Sequence, residues 1–230
     1  ITAHGVAALR AHPGVRTVLE IGGQDSKIIL IDRGVAVDFG MNTVCAAGTG
    51  SFLDQQAHRL NLSISEFGEI ALRSKHPVRI AGRCSVFAES DMIHKQQMGH
   101  SLEDIVAGLC EALVRNYLNN VGKGKEILPP VLFQGGVAAN AGIKRAFEKE
   151  LGYEVIVPEY YDTMGAWGVA LLAQEEKVEY GSSRFRGFQL GEEEIGIDSF
   201  ECPDCPNCCE VIKVRINERQ VSGWGDRCGK

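Results

Sequence analysis

Cys45 and Cys84 each lie in a short segment of glycine and other small residues, and each segment leads into an amphipathic stretch. Cysteine thiolates bind iron–sulfur clusters and zinc, and such sites commonly take four protein ligands. Since this pair supplies only two thiols, a complete site would need the same pair from a second copy of the chain. Composition alone favours the simpler alternative, in which both thiols are buried and inert beside glycine turns.

The position of the two cysteines supports the metal-ligand interpretation. Each precedes a predicted helix, over residues 50–60 and 86–96. The partial positive charge at a helix N-terminus stabilises thiolates and a reduced, more negative cluster. The pattern therefore predicts a homodimer around one cluster, with Cys45 and Cys84 as the ligands from each subunit.

A second group of cysteines lies near the end of the chain. Cys202 and Cys205 have the knuckle spacing of tetrahedral zinc sites, which also serves iron–sulfur clusters, so the spacing does not choose the metal. A unit this small lacks a core of its own, and a structural metal would order it. The predicted metal ligands here are Cys202, Cys205, Cys209 and Cys228. Cys208 is left over, and we expect Cys110 to be inert because free cysteine packs like a small hydrophobe.

Three glycine-containing segments could bind a nucleotide. Gly22 and Gly23 join two predicted strands, where backbone amides can approach an anion closely. A second glycine pair, at 135–136, ends a strand and starts a helix, which allows a ring or phosphate to contact the helix N-terminus. The third segment surrounds Gly165, on a helix that would pack closely against a neighbour. Taken singly, a Gly-Gly turn between strands is mostly structural.

Polar residues beside the first turn could carry the chemistry of phosphate transfer. Gln24 and Asp25 could reach a phosphate, its magnesium ion or an attacking water, and we name them as candidate catalytic residues. A solvated turn is the alternative interpretation. The residues predicted to bind the nucleotide are Gly22, Gly23, Gln24, Asp25, Lys27, Gly135, Gly136, Asn140 and Gly165.

Hydrophobic periodicity predicts the elements that position these residues. A helix over 2–12 precedes strands over 15–21, 27–31 and 35–39, which form a β-meander. Further helices are predicted over 50–60, 65–74 with Ser65 as the cap, 102–118 with a capping box of Ser101 and Asp104, 139–151 and 163–173. Strands over 131–134 and 155–157 alternate with the later helices, which favours an α/β layer. A last strand is predicted over 211–216.

Length and composition limit the function classes. With 230 residues, of which 44% are hydrophobic, the chain can form one sizeable core. A net charge of -6 argues against nucleic acid as a partner. No apolar run reaches the roughly 20 residues of a membrane span and no signal peptide is visible, so we expect a cytoplasmic protein. The predicted domains are 1–176, a linker over 177–198, and a cysteine-rich unit over 199–230.

Five segments, in their order along the chain, resemble a known family. They read Ile-Gly-Gly-Gln-Asp, Cys-Ala-Ala-Gly-Thr-Gly, Cys-Ser-Val-Phe-Ala-Glu-Ser, Gln-Gly-Gly-Val-Ala and Gly-Ala-Trp-Gly. This order is similar to the ATP-dependent activators of 2-hydroxyacyl-CoA dehydratases and the related ATPase subunits of benzoyl-CoA reductases, the BadF/BadG/BcrA/BcrD ATPase family. The resemblance covers residues 1 to about 174. The cysteine-rich tail is similar to the segment after the second activator-like module of large multidomain relatives.

The resemblance implies a fold and a function. The fold would be the α/β fold of acetate and sugar kinases, Hsp70 and actin (ribonuclease H-like), with the 22–25 turn as second phosphate loop and 135–136 as adenosine loop. The family's first phosphate loop, of the type Asp-x-Gly-Ser-Thr, is not found, so we expect a fold incomplete at its N-terminus. Either the chain is part of a longer protein or a partner supplies that loop. Glu20, where many relatives carry Asp, would keep a carboxylate near the metal.

The implied activity is ATP-driven electron donation in an anaerobic metabolism. A four-iron, four-sulfur (4Fe-4S) cluster shared by two subunits would take one electron from ferredoxin or flavodoxin. It would pass that electron to an iron–sulfur dehydratase or reductase that acts on an acyl-CoA, at the expense of ATP with magnesium. Two alternatives stay open: a sugar or acetate kinase relative without redox role, and a non-catalytic zinc-binding interaction module.

Overall fold

The computed structural model describes residues 1–42, 46–82, 84–180, 185 and 187–228. The chain divides into two units, Ile1–Glu179 and Tyr180–Lys230. In the first unit the described helices are α1 (Thr2–Ala11), α2 (Gly50–Arg59), α3 (Ile64–Leu72), α4 (Ser85–Gln97), α5 (Leu102–Asn120), α6 (Ala141–Leu151) and α7 (Met164–Tyr180). The strands are β1 (Thr17–Ile21), β2 (Ser26–Asp32), β3 (Val35–Met41), β4 (Val131–Gln134) and β5 (Val155–Ile156). Each helix and strand predicted for this unit is present, with boundaries shifted by a few residues.

These strands form one mixed sheet in the described part of the first unit, in the order β3-β2-β1-β4-β5. The first three strands are the predicted antiparallel meander. β1 pairs in parallel with β4, and β4 in parallel with β5. Every residue of β1 is buried, as expected for a central strand covered on both faces. The carboxyl ends of β1 and β4 therefore meet at one edge of the sheet.

Both faces of the sheet carry a hydrophobic core. Residues from α2 to α6 pack on one face, where the ring of Phe147 makes edge contacts with Tyr117 (5.4 Å between centroids) and Phe133 (5.1 Å). On the other face, Ala7 and Ala8 of α1 and Met164 of α7 pack against Val18 and other strand residues. The sheet and the helices on its two faces therefore form three layers.

Helix starts differ from the prediction in two places. Ser63 rather than Ser65 caps α3, and its hydroxyl donates to the Glu66 carboxylate (2.7 Å). Residues 136–139 form a 3₁₀ turn, so α6 begins at Ala141 with Asn140 as its cap. At α5 the Ser101 hydroxyl accepts from the Asp104 amide (3.2 Å), as predicted. The Asp104 carboxylate instead accepts from the Ser74 hydroxyl and the His76 amide, and these bonds lower the pKa of Asp104 to about 2.

The second unit contains a 3₁₀ turn (Phe188–Glu192) and the strands β6 (Ile195–Glu201), β7 (Glu210–Ile216) and β8 (Arg219–Trp224). They form an antiparallel sheet with β7 in the middle. Regular structure thus occupies part of the stretch 177–198 that the sequence predicts as a linker, since α7 extends to Tyr180 and β6 begins at Ile195. The acidic residues of that stretch favoured a linker in the prediction, although Ile195 and Ile197 show the alternation typical of a strand. In the part of the chain that the structure describes, no helix is long and apolar enough to cross a membrane.

Close packing of α1 against α7 depends on Gly168. A Cβ at this position would lie 1.8 Å from the carbonyl oxygen of Ala3, which belongs to the backbone and cannot rotate away. We predict that Gly168→Ala lowers the free energy of unfolding by about 2 kcal/mol, as other overpacked sites do. Urea denaturation measures this change.

Gly14→Ala is the matched control for Gly168→Ala. A Cβ there would make only an ordinary contact with the His12 ring, at 3.7 Å. The control should retain the wild-type midpoint. Equal stability of both variants would contradict the close helix contact.

Candidate functional site

A cavity of about 390 Å³ lies where the two predicted glycine turns meet. It opens at the carboxyl edge of β1 and β4, the usual place for a ligand in an open α/β sheet. α2 and α3 form the remaining walls. The cleft residues are Gly22, Gly23, Gly50, Leu53, Asp54, Ile64, Ser65, Gly136, Val137, Ala139 and Asn140. We call this cavity the nucleotide cleft.

Glycine at position 135 allows the two turns to approach each other. Its φ of +89° is in the region that favours glycine, and a Cβ there would lie 2.3 Å from the carbonyl oxygen of Ile21. Across from it, the Gly22 amide donates to the carbonyl oxygen of Asp25 (2.8 Å), which closes the first turn. The sequence at both turns thus fixes the floor of the cleft.

Apolar and polar walls of the cleft suit different parts of a nucleotide. Leu53, Ile64 and Val137 supply apolar surface that could contact a base. The side-chain oxygen of Asn140 accepts from the Ile143 amide (3.1 Å), whereas its buried NH₂ group has no partner among the described residues. A buried donor without an acceptor is costly. A ligand acceptor in the cleft would satisfy it, so these residues fit a nucleotide.

The N-terminus of α2 is hydrogen-bonded to the first glycine turn. The Gly50 amide donates to the carbonyl oxygen of Gly22 (2.9 Å), and the Ser51 amide donates to that of Gly23 (2.7 Å). The Ser51 hydroxyl also donates to the Gly23 carbonyl. The first turn of a helix has amides without an intrahelical acceptor, and two of them are satisfied here by the turn itself. The turn and the start of α2 are therefore directly connected.

A row of polar side chains crosses the sheet beside the cleft. Glu20 pairs with Lys27 on one neighbouring strand and with Gln134 on the other. The Lys27 ammonium donates to the Glu20 carboxylate (2.8 Å) and lies 4.0 Å from that of Asp25. Glu20 is buried, and this ion pair offsets part of the cost of removing its carboxylate from water. Buried charges next to a cleft are common at functional sites.

His4 of α1 continues this polar row. Its Nδ1 lies 2.7 Å from the side-chain nitrogen of Gln134, which is fully buried and whose oxygen has no described partner. Burial lowers the pKa of His4, and Lys27 lowers it further, whereas Glu20 raises it. A neutral ring whose Nδ1 accepts from the Gln134 amide agrees with this environment. Gln134 is the first residue of the segment Gln-Gly-Gly-Val-Ala, whereas no local motif marks His4, which lies 130 positions away in the sequence.

The structure brings together only some of the predicted nucleotide residues. Four of them line the cleft, namely Gly22, Gly23, Gly136 and Asn140. Gln24 and Asp25 are exposed on the turn beside it, and Lys27 pairs with Glu20. Gly165 instead faces the His4 ring, where a Cβ would lie 3.2 Å from two ring atoms.

Cys84 is a free, half-buried thiol and is the N-cap residue of α4. The preceding segment is held by α5, since Asn116 donates to the carbonyl oxygen of Gly82 (2.5 Å) and Arg115 to that of Ile80 (2.8 Å). A thiol at a helix N-terminus suits a metal ligand. Its predicted companion, Cys45, lies outside the described residues.

α2 and α4, the helices that follow Cys45 and Cys84, are joined by Glu89. Its carboxylate accepts from the Arg59 guanidinium (2.8 Å) and, more weakly, from the Gln55 amide (3.4 Å). Both partners lie on α2, whose first turn is bonded to the nucleotide turn. A continuous set of contacts thus runs from the cleft through α2 to the helix that begins at Cys84.

The tail cysteines are free thiols, and the Cys202 amide donates to the carbonyl oxygen of Cys209 (2.8 Å). Cys110 is buried in the core, and burial raises the pKa of its thiol, which fits the inert role expected of it. Over the ranges described above, no three His, Cys, Asp or Glu side chains are arranged to hold a metal ion. Metal binding by Cys202, Cys205, Cys209 and Cys228 stays a prediction.

Comparison with known proteins gives the same family as the motifs. Residues 1–173 match the BadF/BadG/BcrA/BcrD ATPase family. The 2-hydroxyisocaproyl-CoA dehydratase activator of Clostridioides difficile is 40% identical over 168 residues, which is 73% of this chain and 63% of the relative. The (R)-2-hydroxyglutaryl-CoA dehydratase activating ATPase of Acidaminococcus fermentans is 37% identical, over 76% of this chain and 67% of the relative. The chain thus spans about two thirds of the length of these relatives.

A solved structure agrees in fold. The activator of the 2-hydroxyisocaproyl-CoA dehydratase from Clostridium difficile with bound ADPNP has a TM-score of 0.74 and 36% identity, and the match covers 81% of this chain and 70% of that one. The predicted fold class, that of acetate and sugar kinases, Hsp70 and actin, is confirmed.

Gly136 offers a test of the cleft, because a Cβ there would meet no atom within 4 Å. We predict that Gly136→Val fills the cleft without disturbing the fold. The wild type should bind ADPNP and melt at a higher temperature with it, whereas the variant should bind ADPNP at least tenfold more weakly in isothermal titration and show a smaller rise in melting temperature. Its melting temperature without ligand should stay within a few degrees of the wild type. Equal ADPNP affinity of variant and wild type would place the nucleotide elsewhere.

Proposed function

This chain belongs to the BadF/BadG/BcrA/BcrD ATPase family, and on that premise we propose that it is an ATP-dependent one-electron donor. The acceptor would be an iron–sulfur enzyme of the 2-hydroxyacyl-CoA dehydratase or benzoyl-CoA reductase type, and the electron source ferredoxin or flavodoxin. The class of the electron acceptor is inferred from the relatives reported above, whose names describe activators of acyl-CoA dehydratases. The observation that carries the proposal for this chain is the contact set from the nucleotide turn through α2 to α4.

Nucleotide hydrolysis is the first part of the proposed activity. The cleft would bind the base between Leu53, Ile64 and Val137, and the glycine turns would direct the phosphates toward the carboxyl edge of β1. The polar row lies at that edge. Lys27 can neutralise phosphate charge, and Glu20 holds it in place through their ion pair. Gln24 and Asp25, exposed on the turn, stay our candidates for orienting water or magnesium.

Electron donation is the second part. We assign Cys45 and Cys84 as the ligands that each subunit of a homodimer gives to one 4Fe-4S cluster. When bound, the cluster supplies a one-electron carrier that nucleotide chemistry alone does not have. The half-buried thiol of Cys84 at the start of α4 supports this assignment. Zinc or a second cluster at the tail cysteines is a separate proposal.

Coupling between the two parts follows from the hydrogen bonds of α2. Nucleotide that changes the turn at Gly22 and Gly23 must move Gly50 and Ser51, and with them the helix after Cys45. Through Arg59 and Glu89 the same movement reaches α4. A ligand shifts such an equilibrium only by its differential contacts with the two states, and the exposed side chains of Gln24 and Asp25 on the turn supply a place for them.

Iron analysis of oxygen-free protein tests the proposed function. We expect half a four-iron cluster per chain, a dimer in solution, and an EPR signal after reduction. Cys84→Ser should lose the iron, whereas Cys208→Ser, a matched change at an exposed thiol predicted to be unligated, should keep it. An iron-free monomer would contradict electron donation. Phosphorylation of a small metabolite by such material would favour the kinase alternative, and zinc alone would favour the interaction module.

The link between α2 and α4 makes a second prediction. Glu89→Gln keeps the shape of the side chain and removes the charge that pairs with Arg59, so ATP hydrolysis should stay within about twofold of wild type. The stimulation of electron transfer by ATP should fall about fivefold, the equivalent of roughly 1 kcal/mol for a partly exposed pair. Stopped-flow reduction of the acceptor enzyme, with and without ATP, measures this. Glu69→Gln, an exposed carboxylate on α3, is the control, and an equal loss in both variants would contradict the coupling role of Glu89.

A further inference from the structure

A second and larger cavity, of about 1020 Å³, opens between the segment 79–82, the start of α4 and the C-terminal half of α5. Cationic and amide side chains dominate its lining, and no described lining residue is acidic. The residues that matter here are Arg79, Arg115, Lys123, Asn116, Asn119 and Phe87. We call this cavity the basic cleft.

The charge of the basic cleft is opposite to that of the whole chain. The chain carries 30 acidic and 24 basic side chains, a net charge of -6. Arg79 and Lys123 are exposed, and neither forms an ion pair with any described residue. Arg115 is anchored by the Ile80 carbonyl (2.8 Å) and lies 3.7 Å from the Glu111 carboxylate. Unpaired cations gathered on an acidic protein create a local positive potential that attracts an anionic partner.

The basic cleft adjoins Cys84. Gly82, two residues before the thiol, belongs to the lining, and Asn116 holds its carbonyl oxygen (2.5 Å). Phe87, on the first turn of α4, lies at the cleft with 67% of its surface exposed in the single chain. An exposed aromatic ring surrounded by charge is typical of a protein-binding surface, since aromatic side chains are enriched at interfaces and polar groups at their rims.

We propose that the basic cleft is the docking surface for an acidic electron-carrier protein. This inference rests on the proposed function, which requires such a carrier. It identifies the surface to which the carrier binds and the side chains that contact it. Arg79 and Lys123 would contact carboxylates of the carrier, and Phe87 would supply the apolar contact. Docking of this kind is weak, transient and sensitive to salt, because steering by exposed charges falls with ionic strength. The position next to Cys84 brings the carrier to the proposed electron entry point.

The double variant Arg79→Gln, Lys123→Gln tests the proposal, because both side chains are exposed and form no ion pair within the described ranges, so the substitutions should not unfold the chain. The probe is oxidised ferredoxin, titrated calorimetrically into the full chain at low and at high salt. We expect wild-type binding that weakens with salt, and binding by the double variant about tenfold weaker at low salt. The control Arg10→Gln, Arg33→Gln removes two charges that do not line the cleft and should keep the wild-type affinity.

Several results would overturn this proposal. The proposal is wrong if the wild-type chain does not bind ferredoxin at low salt. It is also wrong if the double variant and the control bind ferredoxin equally well. Loss of the dimer in the double variant would identify the cleft as a subunit contact instead. Tight binding of inorganic pyrophosphate that the double variant loses would make it a small-anion site. Binding of oxidised ferredoxin does not require iron in the chain. An iron-free chain would therefore contradict the proposed electron donation, whereas the titration would still test whether ferredoxin binds at the basic cleft.

Discussion

Two backbone hydrogen bonds, from the amides of Gly50 and Ser51 to the carbonyl oxygens of Gly22 and Gly23, connect the nucleotide cleft to α2 and through it to α4. They join the turn that forms the floor of the nucleotide cleft to the first turn of α2. A helix start needs acceptors for its free amides, and a glycine turn needs donors for its carbonyl groups. Each element supplies the hydrogen-bond partners that the other needs, so the turn and the helix are coupled.

Close packing makes this connection specific. A Cβ on Gly50 would lie 3.0 Å from the Gly22 carbonyl oxygen and 3.1 Å from a methyl group of Val137, so the helix approaches both nucleotide turns at van der Waals distance. Farther along α2, Asp54 lines the cleft and Arg59 holds Glu89 of α4. Packed interiors transmit displacement because they have little free volume. The helix therefore connects the glycine turn of the cleft to α4, which follows Cys84.

Sequence predicted the elements and the cleft better than the contacts between them. The meander, the long α5 and the two glycine turns follow from local periodicity and turn residues, which act over a few positions. The His4–Gln134 contact joins residues 130 positions apart, and the link from Glu89 to Arg59 spans 30. No local pattern specifies such pairs. Gly165 illustrates the limit, since its small size predicts close packing against a neighbour, but only the structure identifies that neighbour as the His4 ring.

Asn140 and the tail show two further limits. The sequence predicts a helix from residue 139, whereas the structure has a 3₁₀ turn there and Asn140 caps the helix that follows. The NH₂ group of Asn140 has no hydrogen-bond partner among the described residues. In the tail, the cysteine spacing predicts metal ligands. The strand β6, which pairs with β7, was not predicted because acidic residues around it favoured a linker over the alternating apolar pattern of a strand. Charge and spacing indicate chemistry, but the three-dimensional partner of each group decides its role.

Hydrogen–deuterium exchange of the chain, free and with ADP or ADPNP, tests the central connection most directly. Nucleotide should slow exchange both in the turn at Gly22 and Gly23 and in the first turn of α2. The helix α4 should exchange differently with ADPNP than with ADP, and Glu89→Gln should remove this difference. Slower exchange confined to the glycine turn, with α2 and α4 unchanged, would contradict the account.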